Sequence, residues 1–146
     1  MWQAMPDGEG LVLAFDYGLK FTGVAIGEIG TGVCRPLDTL QTTTRAARWL
    51  AVDTLLKTWE PAALVVGLPL DAEGLEQEST RQSRNFAREL ARRSGLPTHM
   101  VDERYTSLEA WQTLKQQGKT HAECSEEEHA EAAALVLRTY LESYPS

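Results

Sequence analysis

The sequence predicts an α/β protein in which helices pack on a mixed five-stranded sheet. Three short apolar segments near the start of the chain are joined by tight turns, which is typical of an antiparallel meander. Beyond residue 42 the apolar residues recur at helical spacing, and short apolar strands alternate with helices. Strands linked through helices favour parallel pairing, so the complete sheet should be mixed. A length of 146 residues suits one domain with a buried core.

The meander begins with an apolar strand at residues 11–15 that leads directly into Asp16. Gly18 and Gly23 bracket the turn that follows, because glycine permits backbone conformations that a side chain obstructs. The pattern predicts a second strand at about residues 23–28 and a third at 33–37. Residues 1–10 contain Gly, Pro and acidic residues and are expected to form a flexible N-terminal arm, which leaves residues 11–146 as a single domain.

The helical part of the chain has clear start and stop signals. Trp49, Val52 and Leu56 recur at helical spacing after the Thr42–Thr44 hydroxyls, and Pro61 ends that pattern. The apolar run 62–67 is expected to be a strand covered on both faces. A further helix should bury a stripe of Ser79, Ser83, Phe86 and Leu90. Altogether the pattern predicts helices at 42–59, 76–93, 106–116 and 126–144, and strands at 62–67 and 97–101.

Composition limits the functions that the chain can have. The formal net charge of −7, from 21 acidic and 14 basic residues, counts against a sequence-blind nucleic-acid coat protein. It does not exclude an enzyme with a local basic stripe. No apolar run approaches the length of a membrane span. Cys34 and Cys124 lie far apart and do not form a metal-ligand pair, so free thiols in a cytoplasmic protein are expected. A monomer and a homodimer are both compatible with the sequence.

Carboxylates follow several predicted strands at the point where each strand ends. Asp16, Asp71 and the Asp102–Glu103 pair would converge at one edge of the sheet and repel one another. A divalent cation such as Mg²⁺ resolves that repulsion, and two cations can support phosphodiester cleavage. The alternatives are that Asp16 starts a turn and that Asp102 and Glu103 cap the next helix.

An arginine stripe lies on the second predicted helix. Arginines on one rigid face suit phosphate oxygens, so the stripe is a candidate contact for a nucleic-acid backbone. The alternative is a solvated helix face. The stripe consists of Arg81, Arg84, Arg88 and Arg92.

A set of short motifs occurs in a specific order along nearly the whole chain. They are Phe15-Asp16-Tyr17-Gly18 with Thr22-Gly23-Val24-Ala25, Val65-Val66-Gly67-Leu68-Pro69-Leu70 with Gly74 and Glu76-Gln77, and Asp102-Glu103-Arg104 with Ser107 and Glu109-Ala110. The ordered set resembles the YqgF/RuvX family of Holliday-junction-resolvase homologues, which are also described as nucleases for the 5′ end of pre-16S rRNA. The resemblance implies a ribonuclease-H-like fold, cleavage dependent on Mg²⁺ or Mn²⁺, and a cytoplasmic role in ribosomal RNA maturation. RNA is therefore a more plausible substrate than DNA.

The resemblance also implies the site residues. Asp16 matches the first-strand acid of the family, and Glu103, with Asp102 beside it as a secondary candidate, matches the acid at the end of the last strand. His129 falls where the family usually has an Asp, at the start of the final helix. Glu131 points almost opposite to His129 at 100° per residue and cannot replace it.

Asp16, Glu103 and His129 are therefore the predicted catalytic and metal-binding residues. The imidazole of His129 can ligate a transition metal or move a proton; alternatively, it is a hydrogen-bonded histidine at the edge of the core. Lys20 and Arg104 lie beside the acids and are candidates to neutralise a phosphate.

Three further interpretations remain beside the nuclease. The first is a non-catalytic factor of the same fold that binds ribosomal precursor or a transcription complex, with catalysis lost through the His129 replacement. The second is a Holliday junction resolvase. The third is an ATPase, because an Asp-x-Gly hairpin also resembles the phosphate loop of actin-like ATPases. Those enzymes need two lobes, whereas 146 residues hold one.

Overall fold

A mixed five-stranded sheet is the centre of the computed structural model, which describes residues 10–41, 43–103 and 126–143. The strand order across the sheet is β3-β2-β1-β4-β5. The first three strands pair antiparallel, whereas β4 pairs parallel with both β1 and β5. The predicted architecture is therefore confirmed. The strands are β1 Leu11–Asp16, β2 Phe21–Glu28, β3 Cys34–Gln41, β4 Ala63–Leu68 and β5 Thr98–Asp102, and the helices are α1 Arg45–Trp59, α2 Glu78–Ser94 and α3 Glu126–Ser143.

Several element boundaries differ from the prediction. Strand β3 is longer than the predicted 33–37 because it pairs with β2 from Gln41, opposite Phe21, to Cys34, opposite Gly27. Helix α1 begins at Arg45 rather than at residue 42, because the Thr44 hydroxyl caps it by accepting a hydrogen bond from the Ala47 backbone N–H at 3.1 Å.

Side chains that alternate along the central strands supply two separate cores. Leu13 and Phe15 of β1 face α1 and α2, whereas Val12 and Ala14 face α3. All four are fully buried, as are the first four residues of β4. The prediction that residues 62–67 form a strand covered on both faces is thus confirmed for the part that lies in β4.

Helix α2 buries most of the predicted stripe. Ser83, Phe86 and Leu90 are buried as predicted, but the prediction for Ser79 is wrong, because Ser79 is exposed. Thr80 takes the inward position instead, since its hydroxyl accepts a hydrogen bond from the Gln77 N–H at 3.0 Å and donates one to the Pro69 carbonyl. The first turn of α2 is therefore fixed by a polar side chain.

Small residues on β2 let helix α3 pack closely against the sheet. A Cβ on Gly23 would overlap the backbone of His129 and lie 2.7 Å from the Ala130 nitrogen, and a Cβ on Gly27 would lie 2.9 Å from Leu137 Cδ2. Ala25 lies between these glycines and is fully buried in the same core. These three small residues of β2 therefore allow the start of α3 to lie beside the end of β1.

Some predictions fall outside the described residues. They include the N-terminal arm through residue 9, the helix at 106–116, Cys124 and Arg104. Cys34 is a half-buried free thiol whose sulfur contacts the Ala134 carbonyl at 3.7 Å. Among the described helices, none is long and apolar enough to span a membrane.

Candidate active site

Asp16, Glu103 and His129 meet on the face of the sheet that α3 covers. Asp16 ends β1 and continues the alternating row that begins with Val12 and Ala14. Glu103 follows β5 immediately, and His129 lies in the first turn of α3. The structure therefore brings together all three predicted residues, although they are far apart in the sequence.

Gly67 provides the space in which the Glu103 side chain lies. The Glu103 N–H donates to the Leu68 carbonyl at 3.0 Å and extends the pairing of β4 with β5 by one residue. A Cβ on Gly67 would lie 2.8 Å from Glu103 Cδ. Because residue 67 has no side chain, the Glu103 carboxyl group can reach across β4 and hydrogen-bond to Asp16.

Burial makes the charged form of Glu103 costly. The residue is 8% exposed. Desolvation raises the pKa of its carboxyl group well above the ordinary value, and the negative charge of Asp16, their mutual hydrogen bond and the charge of Asp102 raise it further. Two adjacent carboxyl groups in such a place need either a shared proton or a cation.

His129 completes the cluster from the helix side. Its Nδ1 lies 4.0 Å from Asp16 Oδ2, which is too long for a hydrogen bond. The side chains of His129 and Asp16 are 20% and 16% exposed, so both can be reached from solvent. The imidazole also lies 5.9 Å from the Phe21 ring. The histidine is therefore held at the edge of the core, facing an acid, and is not sealed in apolar packing.

The donor set suits a small divalent cation. Within residues 10–41, 43–103 and 126–143, no three His, Cys, Asp or Glu side chains already form a ligand cluster. Asp16 and Glu103 are instead joined by a hydrogen bond. A shared proton therefore offsets the repulsion between the two carboxyl groups, and a bound cation could take its place. Carboxylate oxygens suit Mg²⁺ and Mn²⁺, whereas an imidazole favours a transition metal over Mg²⁺. The chemistry of the three donors thus fits a divalent metal ion.

The secondary candidates occupy different positions. Asp102 ends β5 opposite Leu68 and precedes Glu103, so the alternation of the strand directs it to the other face of the sheet. Lys20 is exposed in the turn between β1 and β2. Asp71 holds its own loop, because its Oδ1 accepts hydrogen bonds from the Glu73 and Leu75 N–H groups, both at 2.9 Å.

The arginine stripe of α2 is solvent-facing and hydrogen-bonded along the surface. Its members use neighbouring acceptors, three of which are carboxylates that offset part of the positive charge. Arg81 pairs with Glu78, Arg84 Nε lies 2.7 Å from Glu76 Oε1, Arg88 Nη1 lies 3.1 Å from Asn85 Oδ1, and Arg92 Nη2 lies 2.5 Å from Glu89 Oε2.

The sequence interpretation did not assign Gly23 and Gly67 to the site. Both are positioning residues, since each leaves room for a group that carries a predicted ligand. Their signal in the sequence was weak: Gly67 closes an apolar run and Gly23 follows the turn after Asp16. A glycine at such a place can mark the close approach of another element as well as a turn.

Comparison with known sequences adds to this geometry. Residues 10–143 match a sequence model of the family described as "RuvX: Holliday junction resolvase". A protein of Bordetella parapertussis named "Putative pre-16S rRNA nuclease" is 44% identical over 137 residues, which cover 94% of this chain and 97% of the relative. A Thiobacillus denitrificans protein of the same name is 42% identical over 134 residues, 92% of each chain.

Solved structures share the fold at low sequence identity. Thermus thermophilus RuvC, solved in complex with a Holliday junction substrate, superposes with a TM-score of 0.59 at 15% identity, covering 92% of this chain and 94% of that one. The fowlpox virus resolvase, solved with Holliday junction DNA, gives a TM-score of 0.51 at 12% identity, covering 91% and 97%. The predicted ribonuclease-H-like fold is confirmed.

Proposed function

Because the chain belongs to the RuvX family, we propose that it is a metal-dependent nuclease that processes the 5′ end of the 16S ribosomal RNA precursor. The observation that supports this activity most directly is the contact of the buried Glu103 carboxyl group with Asp16, 4.0 Å from His129. Such a cluster at the end of a central strand has no evident structural purpose, since burying Glu103 beside a second acid costs stability.

Asp16 and Glu103 are the proposed cation ligands. A divalent cation bound there would lower the pKa of a coordinated water and offset the charge on the scissile phosphate. Asp16 is partly exposed and can face both the cation and the substrate, whereas Glu103 is buried and anchors the site from beneath. Gly67 maintains that arrangement because it leaves the Glu103 carboxyl group free to swing toward Asp16.

His129 is proposed as the third member of the site. Its imidazole either ligates the cation or accepts a proton from the attacking water, and both roles need the partial exposure that it has. An imidazole in place of a third carboxylate lowers the negative charge of the site and favours Mn²⁺ over Mg²⁺. We therefore propose Mn²⁺ as the better of the two cofactors.

RNA is the proposed substrate because the curated relatives are named for a ribosomal RNA precursor. The activity would then take place in the cytoplasm, where the precursor is transcribed. The solvent-facing arginines of α2 are proposed to contact the substrate backbone. Lys20 is exposed beside the site and is a further candidate for phosphate contact.

A cleavage assay tests the proposal. A 5′-extended 16S RNA fragment is incubated with Mn²⁺ or Mg²⁺ and wild-type protein, Asp16→Asn or Glu103→Gln. Loss of a direct ligand should lower the cleavage rate by more than about 100-fold. The matched control is Asp53→Asn, since Asp53 is an exposed acid on α1, which packs on the face of the sheet opposite the cluster. Equal cleavage by wild type and Asp16→Asn would contradict the proposal.

A non-catalytic binding factor is the second candidate, and the replacement of the family's Asp by His129 favours it. Calorimetric titration with Mn²⁺ separates the two. Metal binding with cleavage supports the nuclease. Binding of precursor RNA without metal binding or cleavage supports the binding factor.

A further inference from the structure

A basic groove lies between α1 and α2, on the face of the sheet opposite the cluster of Asp16, Glu103 and His129. It encloses about 650 Å³, within the roughly 300–1,000 Å³ typical of ligand pockets. Four arginines line it together with a single acid, in a protein whose net charge is −7. The arginines are Arg45, Arg48, Arg88 and Arg92, and the acid is Glu89.

The charge of the groove is organised by its acid. Glu89 Oε2 lies 3.2 Å from Arg45 Nη2, 2.5 Å from Arg92 Nη2 and 3.0 Å from Arg93 Nε. One carboxylate thus holds guanidinium groups from both helices and neutralises one charge among them. Arg88 donates to the neutral Asn85 side chain and keeps its full charge. The groove therefore has a fixed positive excess that suits phosphate oxygens.

The floor of the groove is a rigid aromatic layer. The Phe86 ring stacks with Trp49 at 5.3 Å and with Tyr17 at 4.8 Å. Arg48 lies 5.1 Å from the centre of the Tyr17 ring. These contacts restrain the Arg48 guanidinium plane, on which a nucleobase can stack.

Tyr17 connects the groove with the carboxylate cluster, because it lines the groove and follows Asp16 in the chain. A polynucleotide with one phosphate at Asp16 that continues over the end of β1 would therefore enter the groove within a short distance. Entry requires a sharp bend over the carboxyl end of β1, from one face of the sheet to the other. A single strand bends easily, whereas duplex DNA has a persistence length of about 50 nm.

We propose that this groove binds the single-stranded flank of the nucleic-acid substrate through its phosphate backbone. The substrate class rests on the proposed nuclease function, but binding does not require the metal ion or catalysis. The groove refines the arginine stripe of α2, since Arg88 and Arg92 line it and Arg81 and Arg84 do not.

Fluorescence anisotropy with a single-stranded RNA of about 12 nucleotides tests the groove. The protein carries Asp16→Asn, and the buffer contains EDTA, so cleavage cannot interfere. Adding Arg45→Gln and Arg88→Gln should weaken binding on the order of tenfold and reduce the salt slope by roughly 1.4, or 0.7 for each lost phosphate contact. Both arginines are exposed, and a melting curve verifies that the variant folds.

The matched control is Arg35→Gln with Arg138→Gln, which removes the same charge from exposed positions outside the groove lining. It should change the affinity by less than about twofold. Equal weakening by both pairs, or none by the groove pair, would overturn the proposal. Gln82→Glu provides a second variant, because it introduces a negative charge into the groove lining without removing an arginine, and it should also weaken binding.

Competing nucleic acids define the ligand. Single-stranded RNA and single-stranded DNA should both compete for the groove, since the proposed contacts are to phosphate, and the comparison shows which is preferred. A duplex that competes as well as the single strand and responds equally to the groove substitutions would overturn the proposal. Metal-dependent cleavage without groove binding would contradict only the proposed role of the groove. Groove binding without cleavage would contradict only the proposed nuclease function.

Discussion

The backbone carbonyl of His129 lies against Gly23, in the space that a Cβ atom at residue 23 would occupy. Gly23 pairs with Asp16 across β1 and β2. Directly opposed residues of an antiparallel pair face the same side of the sheet. The close approach that Gly23 permits therefore also sets the distance between the imidazole and the first acid.

Gly23→Ala should push the start of α3 away from the sheet. We expect a loss of about 1–3 kcal/mol in the free energy of unfolding, as for other overpacked cores, and a large loss of Mn²⁺ affinity. Thermal melting and calorimetric titration measure the two effects. Gly27→Ala is the control: it contacts the ends of Leu137 and Leu141 further along α3, so it should cost stability but keep metal affinity. Equal metal affinity in all three proteins would contradict this role of Gly23.

Glu103→Gln should alter the pH dependence of stability in metal-free buffer. The folded-state pKa of Glu103 is raised, so its contribution is fully present below its ordinary value of 4.5 and is lost as the pH rises through the folded pKa. The glutamine side chain of the variant cannot ionise. The variant should therefore melt higher than wild type at pH 8 and close to it at pH 4. Glu131→Gln, at an exposed position of α3, is the control and should follow wild type.

Mn²⁺ should reverse the difference in melting temperature between wild type and Glu103→Gln at pH 8. The cation replaces the proton on Glu103, so wild type should gain melting temperature on addition of Mn²⁺, and more at higher pH. Glu103→Gln should gain little at any pH. A wild-type response to Mn²⁺ that does not depend on pH would contradict the assignment of Glu103 as a ligand.

His129→Asp should change the preference among metal ions. A third carboxylate favours Mg²⁺ relative to the imidazole, so the ratio of Mg²⁺ to Mn²⁺ affinity should rise, by about tenfold or more. The added negative charge should also lower the melting temperature without metal. Calorimetric titrations with each ion measure the ratio, and His129→Ala provides the reference that lacks either ligand. An unchanged ratio in His129→Asp would place residue 129 outside the coordination sphere.

His99→Phe should remove an acid-sensitive step in stability. His99 packs against Tyr140 at 5.4 Å, and its Nε2 is buried without a hydrogen-bond partner in the described part of the chain. Burial lowers its pKa, so its contribution is present above the ordinary value of 6.5 and is lost as the pH falls through the folded pKa. Between pH 8 and pH 5, wild type should lose more melting temperature than His99→Phe. Parallel curves would contradict this account.

The sequence predicted the fold well because its signals are local. The apolar runs of β1 and β4 and the helical spacing of Ser83, Phe86 and Leu90 are readable without tertiary contacts. Strand ends were harder. The extension of β3 to Gln41 depends on backbone pairing with β2, and residues 38–41 carry no local signal for that pairing.

The site was predictable in part for a related reason. Asp16 and Glu103 stand at strand ends, where convergence follows from topology, but the hydrogen bond between them depends on the missing side chain of Gly67. The groove was not predicted at all. Its walls come from α1 and α2, and the crossing of two helices cannot be read from either helix alone.

The opposite orientation of Asp16 and Tyr17 makes β1 intolerant of insertions and deletions. A shift of one residue would turn the phenol toward α3 and the carboxylate toward Phe86, exchanging the ionic face with the aromatic one. Strands β2 and β4 hold β1 on both edges, so slippage cannot repair such a change. The spacing between this carboxylate and the apolar residues before it should therefore be fixed far more strictly than their identities.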